Sequence, residues 1–507
     1  MREIDDLRAF DGFLKKRCVE VRSRLDEMLG TKRLTLAEAR VHRVLLPMHG
    51  VYTPGLQALP AVSWGFVELV TREGPVGTGE WSIDVDRNAR DALARLRDDP
   101  SLNLLDSSFE EPLFMAWWDL VGQVLEMPLH RLWAELFEVG FDPPDRIPLA
   151  AYSWPRFPDA EGNDAVWADT WPDFAADQVD EGFGTLKLSM TTYDPEEYID
   201  IIRRIRERIP AEIDIRIDSH GSWNFVEARR LLPDLEPLGI SYFEQPFNAL
   251  LPDRFYPPTH ATVAGGYQAE YYFRKLEELR PHTTIPFSDH WWTPPIVQPA
   301  GVPRMANAWE PDWHLIERYD PVDISNPDIG LGVFGLWRLL QLARFMGLHV
   351  TLHSNFELGL QSTFRGAMFS ALGYYPDSGG LYLATSPRLC LPMDTEYNQV
   401  RDDVLVGGKV PFVEGNFELS AESGHGRRLD PERVEQYSYT EQAVSSHRSY
   451  SLQIFDNYQL DLPRRKRMAG WPKGAGPERL DRIAYPYDLT SILGIDRPQD
   501  VDVELNT

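Results

Sequence analysis

The stretch GTLKLSMTTYDPEEYIDIIRRIRERIPAEIDIRIDSHGSWNFVEARRLLPDLEPLGISYFEQP, residues 184–246, alternates between two hydrophobic periods. GTLKLSM reads as a strand. The helix that follows takes Asp194 as its N-cap and Pro195 as its first residue, and Ile201, Ile202, Ile205 and Ile209 form its buried stripe. EIDIRIDSH is a second strand, FVEARRLLPDLEPLG a second helix and ISYFEQP a third strand. Strands alternating with amphipathic helices are the signature of a parallel sheet with helical crossovers.

Downstream, TTIPFSDH, VDISNPD and HVTLHSN read as further strands, the last two separated by the helix FGLWRLLQLARFMG; upstream, IPLAAYSW opens the series. Seven strands can be named, and an eighth is expected near residues 365–383. The count points to an α/β chain whose main unit is a (β/α)₈ TIM barrel rather than an open sheet. Before it, residues 1–30 read as a charged amphipathic helix with Leu7, Phe10, Phe13 and Leu14 near helical spacing and Gly30 as the stop signal. VHRVLLPM and WGFVELV read as strands between about 37 and 82, and residues 86–138 return to helical spacing, so an α+β unit precedes the barrel. The expected division is a helical extension over 1–36, the α+β unit over 37–145, the barrel over 146–375, a loop-rich segment over about 376–440 and a polar tail over 441–507. Residues 249–268 and 291–312 read as insertions.

Acidic side chains number 78 against 51 basic ones, a formal net charge of −27. That charge argues against nucleic acid and against an anionic membrane surface as partners. Two cysteines, Cys18 and Cys390, neither build a disulfide framework nor have zinc-site spacing, and no apolar run approaches a membrane span. A soluble, cytoplasmic protein is expected. The RRKR run at 464–467 reads as a solvated turn.

In a barrel the active site is built at the carboxyl ends of the strands. Those ends carry Lys187 and Ser189, Asp218 and His220, Glu244, Asp289 and His290, Asp328, and His353 with Asn355. Period 2 sets the spaced pairs on one face each. A polar residue at one strand end is ordinarily a loop starter or helix cap. Six successive ends with ionisable groups would crowd like charges into one mouth, which is costly unless an ion partners them. Asp218, Glu244 and Asp289 suit a hard divalent ion such as Mg²⁺. His353 and Asp328 suit a base with its tautomer fixed by an acid.

The series Asp218, FEQP with Glu244, a carboxylate, PDIG and HSN resembles the enolase superfamily, and VDISNPDIG with GLHVTLHSN resembles its glucarate dehydratase branch, related to mandelate racemase. The resemblance runs from about residue 40 to 435. It includes MHGVYTPG, where His49 sits like a substrate-contacting histidine of the mobile capping loop, and FELSAESGHGRRLDPERV, which is similar to the segment that rejoins the capping domain. It implies an α+β capping domain over a modified barrel, one Mg²⁺, a carboxylate substrate, and a homo-oligomer. In that chemistry the metal holds the substrate carboxylate while a base removes the α-proton. Substrate contacts are expected from His49, Asn355, Tyr152 and His290.

Two departures sharpen the reading. The branch's Lys-x-Lys is here Lys187-Leu188-Ser189, so the base on the face opposite His353 is missing, which argues against racemisation; Lys187 remains as an electrostatic partner. Asp218-Ser219-His220 resembles galactonate and mannonate dehydratases, whose histidine is the general acid on the leaving hydroxyl; a capping or core role for His220 is the alternative. For the third metal ligand, register favours His290 and the oxygen preference of Mg²⁺ favours Asp289, which is assigned the role; a strand end at VAGGYQAE would instead bring in Glu270. The leading expectation is a Mg²⁺-dependent sugar-acid dehydratase. An epimerase or cycloisomerase, or a binding barrel without turnover, are the alternatives.

Overall fold

The computed structural model describes residues 4–32, 34–52, 59–82, 111–159, 161–189, 193, 195–219, 223–247, 267–289, 318–319, 322–327, 332–354, 357–373, 391–440 and 442–443. The helix Ile4–Leu29 buries Leu7, Leu14, Val21, Leu25 and Leu29, and stops at Gly30, which takes φ +53°. Phe13 is 58% exposed and lies off that stripe, contrary to the sequence reading. Asp11 forms a buried ion pair with Arg338 of the helix Gly332–Met346, and Phe10 stacks on Phe345 at 4.7 Å.

Three antiparallel strands follow, β1 (Leu36–Tyr52), β2 (Leu59–Thr71) and β3 (Val76–Ser82), with the helices Glu111–Leu125 and Leu129–Phe137 after them. The helix 111–125 lies against β3 so closely that a Cβ on Gly77 would meet the Ala116 carbonyl oxygen at 2.0 Å. Only glycine permits that approach.

A run of parallel strands follows: β4 (Arg146–Ser153), β6 (Thr185–Ser189), β7 (Asp214–Asp218), β8 (Ile240–Glu244), β9 (Phe287–Asp289), β10 (Ile324–Ser325) and β11 (His349–Val350). Each pairs in parallel with the next. The two-residue strand β5 (Arg156–Phe157) leaves this series and pairs with the end of β1, tying the first sheet to the loop after β4. The stripe Ile201, Ile202, Ile205 and Ile209 is buried under the helix Pro195–Arg208, as its spacing predicts.

The eighth strand lies elsewhere than expected. Residues 359–368 are α-helix and 369–373 π-helix, while the strand that pairs in parallel with β4 is β12 (Met393–Thr395). The run GLQSTFRGAMFSALG is buried throughout, its polar residues included, so its pattern has no clean periodicity to separate strand from helix. No ladder joins β11 to β12 among the described residues. Two backbone bonds bridge them, Leu391 N to Val350 O at 2.8 Å and Asp394 N to Leu352 O at 3.1 Å. The result is an α/β fold with a TIM-barrel-like domain. An antiparallel hairpin, β13 (Phe412–Val413) and β14 (Asn416–Glu418), pairs with the start of β4. None of the described helices is long and apolar enough to cross a membrane.

Candidate active site

The ladders decide which strand residues face inward together. Tyr152 pairs with Lys187, Lys187 with Arg216, Ser189 with Asp218, and Asp218 with Glu244. Partners in a parallel ladder share a face, so these residues line one surface. The outward alternates Leu186, Leu188, Ile215 and Ile217 are apolar and buried against the helices.

Lys187 is the hub of this surface. Its Nζ donates to Glu244 Oε2 at 2.8 Å and to Asp394 Oδ2 at 2.7 Å, and lies 3.6 Å from Asp218 Oδ2. It also sits 4.9 Å from the centre of the Tyr152 ring. Burial works against its charge, but the Asp394 and Glu244 carboxylates more than offset that and hold the ammonium well above the usual lysine value. Arg216, equally buried, donates from Nη1 to Asp394 Oδ1 at 2.7 Å and to Pro392 O at 2.8 Å, and lies over the Tyr242 ring. Two cations and three carboxylates thus share a buried cluster with a formal charge of −1 when all are ionised.

Neither Arg216 nor Asp394 figures in the sequence reading. The alternation Asp-Ile-Arg-Ile-Asp places Arg216 two residues before Asp218 on the same face, so period 2 could have found it. Asp394 carried no such signal, because it lies in a segment read as loop.

At the strand ends, Asn326 Nδ2 donates to Glu244 Oε2 at 2.7 Å, and Ser219 N donates to Glu244 O at 3.3 Å. Gln245 follows Glu244 with φ +44°, an uncommon conformation for a non-glycine residue, and its carbonyl accepts the Ser219 hydroxyl. His353 is 4% exposed and lies two residues beyond Thr351, whose hydroxyl is 3.4 Å from Arg216 Nη1. Its backbone N–H donates to Pro327 O at 3.1 Å, which sets its chain beside the end of β10. Arg365, on the helix 359–368, donates to the carbonyls of Leu352, His353 and Asp394 and pairs with Glu357.

Asp289 closes β9. The ladder pairs Glu244 with Ser288, so the residue sharing the Glu244 face is Ser288, and Asp289 takes the other side. Its Oδ2 accepts the Tyr272 hydroxyl of the helix Tyr267–Leu279 at 2.6 Å. Burial, reinforced by the Asp289 charge, raises that phenol well above its ordinary range. Among the described residues no three of His, Cys, Asp and Glu are grouped to hold a metal ion. His290, His220, Asp328 and Asn355 lie outside the described residues.

His49 is at β1, with Nδ1 3.2 Å from Asp164 Oδ2 on the loop after β4. Burial and then the nearby Lys409 charge hold its imidazole below the usual value. Asp164 also accepts Arg401 Nη2 at 2.8 Å. The Tyr152 carbonyl accepts Asn398 and Gln399 at 2.8 Å each, and Gln399 accepts Arg156 at 2.9 Å. His49 and Tyr152 are therefore tied to one polar network around the loop after β4, with only Tyr152 reaching Lys187 as well.

The profile of the enolase C-terminal domain-like family matches residues 171–265, the segment that carries Lys187, Asp218 and Glu244. Over this segment the chain matches the enolase superfamily. A D-galactonate dehydratase of Pectobacterium atrosepticum is 28% identical over 240 residues, which cover 40% of this chain and 58% of that relative's length. An enolase of Thermobispora bispora, solved with magnesium and formate, has 19% identity and a TM-score of 0.59 over 82% of this chain and 93% of that one. The L-Ala-D/L-Glu epimerase of Bacillus subtilis has 16% identity and a TM-score of 0.56 over 78% and 98%.

Members of the enolase superfamily bind Mg²⁺. Of the described residues, Asp218 and Glu244 fit that ion as two of its ligands: both are hard oxygen donors, buried side by side at neighbouring strand ends. Asp289 is buried at the end of the next strand, with Oδ2 accepting the Tyr272 hydroxyl.

Proposed function

We propose that this enolase-superfamily chain is a Mg²⁺-dependent dehydratase that converts an aldonic or aldaric acid to a 2-keto-3-deoxy acid. The observation that carries the reading is Ser189. It is buried at the end of β6, paired with Asp218, where the glucarate branch has its second lysine. A serine hydroxyl, unlike a lysine amine, is not a base at neutral pH, which in this reading leaves His353 as the base. The match to a galactonate dehydratase supports the same class.

In this reading Asp218, Glu244 and a third ligand would hold Mg²⁺, which would supply positive charge for the substrate carboxylate. His353 takes the α-proton, with Asp328 orienting its ring. Lys187, already charged and buried at 2.8 Å from Glu244, faces the enediolate that develops. His220 gives a proton to the β-hydroxyl, which leaves as water, and the resulting enol tautomerises to the ketone. His49, Tyr152, Asn355 and His290 contact the substrate. Residues 37–145, completed by about 376–440, act as the cap over the barrel of 146–375, with 1–36 and 441–507 as extension and tail. The protein is a cytoplasmic homo-oligomer.

The test is incubation of Mg²⁺-loaded protein with hexonic, pentonic and hexaric acids, with semicarbazide detection of 2-keto-3-deoxy products and His353→Asn as control. A product lost in the variant supports the reading. α-Proton exchange in D₂O without a keto product would replace it with an epimerase. Neither exchange nor product across the panel would favour a binding role.

A further inference from the structure

Glu244 closes β8, and one of its carboxylate oxygens is held by two donors from opposite sides. Lys187 Nζ of β6 reaches Oε2 at 2.8 Å, and Asn326 Nδ2, one residue past β10, reaches the same atom at 2.7 Å. β7 lies between the lysine and Glu244, and β9 between Glu244 and the asparagine, so each donor crosses a strand to make its bond. All three residues are fully buried. An ionised carboxylate offers only acceptors, so the amide must turn its NH₂ group to Glu244, and the bond is charge-assisted. The backbone beside that amide is itself fixed. Asn326 N donates to Asp289 O at 3.1 Å, and Pro327 O accepts His353 N at 3.1 Å. Asn326 is thereby a post set between the ends of β9 and β11, with its side chain committed to Glu244.

We infer that Asn326 is a positioning residue acting through Glu244: its amide counters the pull of Lys187 on Oε2 and so fixes the orientation that the Glu244 carboxylate presents to a divalent ion. Replacing the amide by an apolar side chain leaves the fully charged lysine as the dominant partner of Oε2, and the carboxylate turns toward β6. The inference rests on the metal-dependent reading above, in which Glu244 is a ligand, and it is tested by quantities that do not need turnover.

Mn²⁺ binding, followed by the electron paramagnetic resonance signal of the free ion, is compared in wild type, Asn326→Leu, Glu244→Gln and the double variant. Leucine is close to asparagine in shape and has no donor. Positioning predicts Mn²⁺ affinity about 10- to 100-fold weaker in Asn326→Leu, the range for groups that orient a metal's ligands. In the Glu244→Gln background the same substitution costs less than about 3-fold, because the carboxylate it orients is gone and the two effects do not add. Equal losses in the two backgrounds would mean that Asn326 contributes packing alone, and they overturn the inference. Unchanged affinity in Asn326→Leu overturns it as well. The crystal structure of Asn326→Leu gives a second readout: the Glu244 carboxylate turns toward Lys187, and an unmoved carboxylate refutes the inference. Should Asn326→Leu fail to fold, Asn326→Ala, which adds no bulk, carries both measurements. The underlying reading fails in a different way: if Glu244→Gln binds Mn²⁺ as the wild type does, Glu244 is not a ligand, and the inference falls with that assignment. A weakened Glu244→Gln beside an unaffected Asn326→Leu refutes the role of Asn326 alone.

Discussion

Replacing Arg365 by methionine removes a guanidinium that ties the ends of β11 and β12 together. Arg365 is 1% exposed and donates to Leu352 O and Asp394 O at 3.1 Å each and to His353 O, with Glu357 as its buried carboxylate partner. Breaking a buried ion pair from one side costs about 3–5 kcal/mol, because it strands the remaining charge. Each buried carbonyl that loses its donor adds about 1–3 kcal/mol, less whatever water recovers. We therefore expect Arg365→Met to lose at least about 4 kcal/mol of urea-unfolding free energy, taking the ion pair at mid-range and almost nothing for the carbonyls. The double variant Arg365→Met with Glu357→Gln removes the stranded charge and should be more stable than Arg365→Met alone by about 2 kcal/mol or more. Because the His353 carbonyl is one of the three, the base shifts with the seam. A displacement near 1 Å is enough to lower turnover by about 100-fold. The assays are urea melts of the two variants and wild type, together with initial rates on the best acid sugar. A loss under about 1.5 kcal/mol, or a double variant less stable than Arg365→Met, would refute the stranded-charge reasoning.

Three further outcomes follow from the same structure. His353→Asn should abolish α-proton exchange, a fall of about 100-fold or more, with little change in thermal midpoint; retained exchange in D₂O would remove His353 from the base role. Asp218→Asn and Glu244→Gln should each weaken Mn²⁺ binding about 10-fold or more, and chelation should abolish turnover of the wild type, as calorimetry and rates would show. The third concerns pH. Burial, with the Asp403 charge adding to it, pushes the Glu80 carboxyl up to about 8, and burial pushes Asp403 up to about 6; both cap the start of the helix 359–368 through Leu358, Gly359 and Gln361. Folded values above the ordinary carboxyl range mean that the folded protein keeps protons the unfolded chain releases. The stability they contribute is complete below about pH 4 and is lost as pH rises through 6 and then 8. Urea midpoints should fall across that window, and Glu80→Gln should flatten its upper half; an unchanged slope in the variant counts against the assignment.

Much of the scaffold was legible from local pattern. The stripe Ile201, Ile202, Ile205 and Ile209 and the alternation around Asp218 are read from neighbours along the chain, because helices repeat every 3.6 residues and strands every two. The strand ends holding Lys187, Asp218 and Glu244 followed from that alternation, and the ladders bring them side by side. Lys187, Asp218 and Glu244 could thus be named without knowing what lies across the barrel.

The rest depended on contacts between distant parts of the chain. That Ser288 lies beside Glu244 is seen only in one ladder, since a slip of one residue exchanges the two faces of a strand. Residues 359–373 are buried all round, polar side chains such as Gln361 and Arg365 included, so only their packing among distant neighbours makes them helical and leaves 393–395 to pair with β4. Asp394 is 207 residues from Lys187, and no sequence pattern marks it as that lysine's partner. The sequence by itself determined the strands β6 to β8, the helix between β6 and β7, and the inward Lys187, Asp218 and Glu244, because those rest on short-range periodicity. Tertiary structure alone decided how the buried charges are paired, because two charges drawn into a low-dielectric interior require each other wherever the fold brings them together.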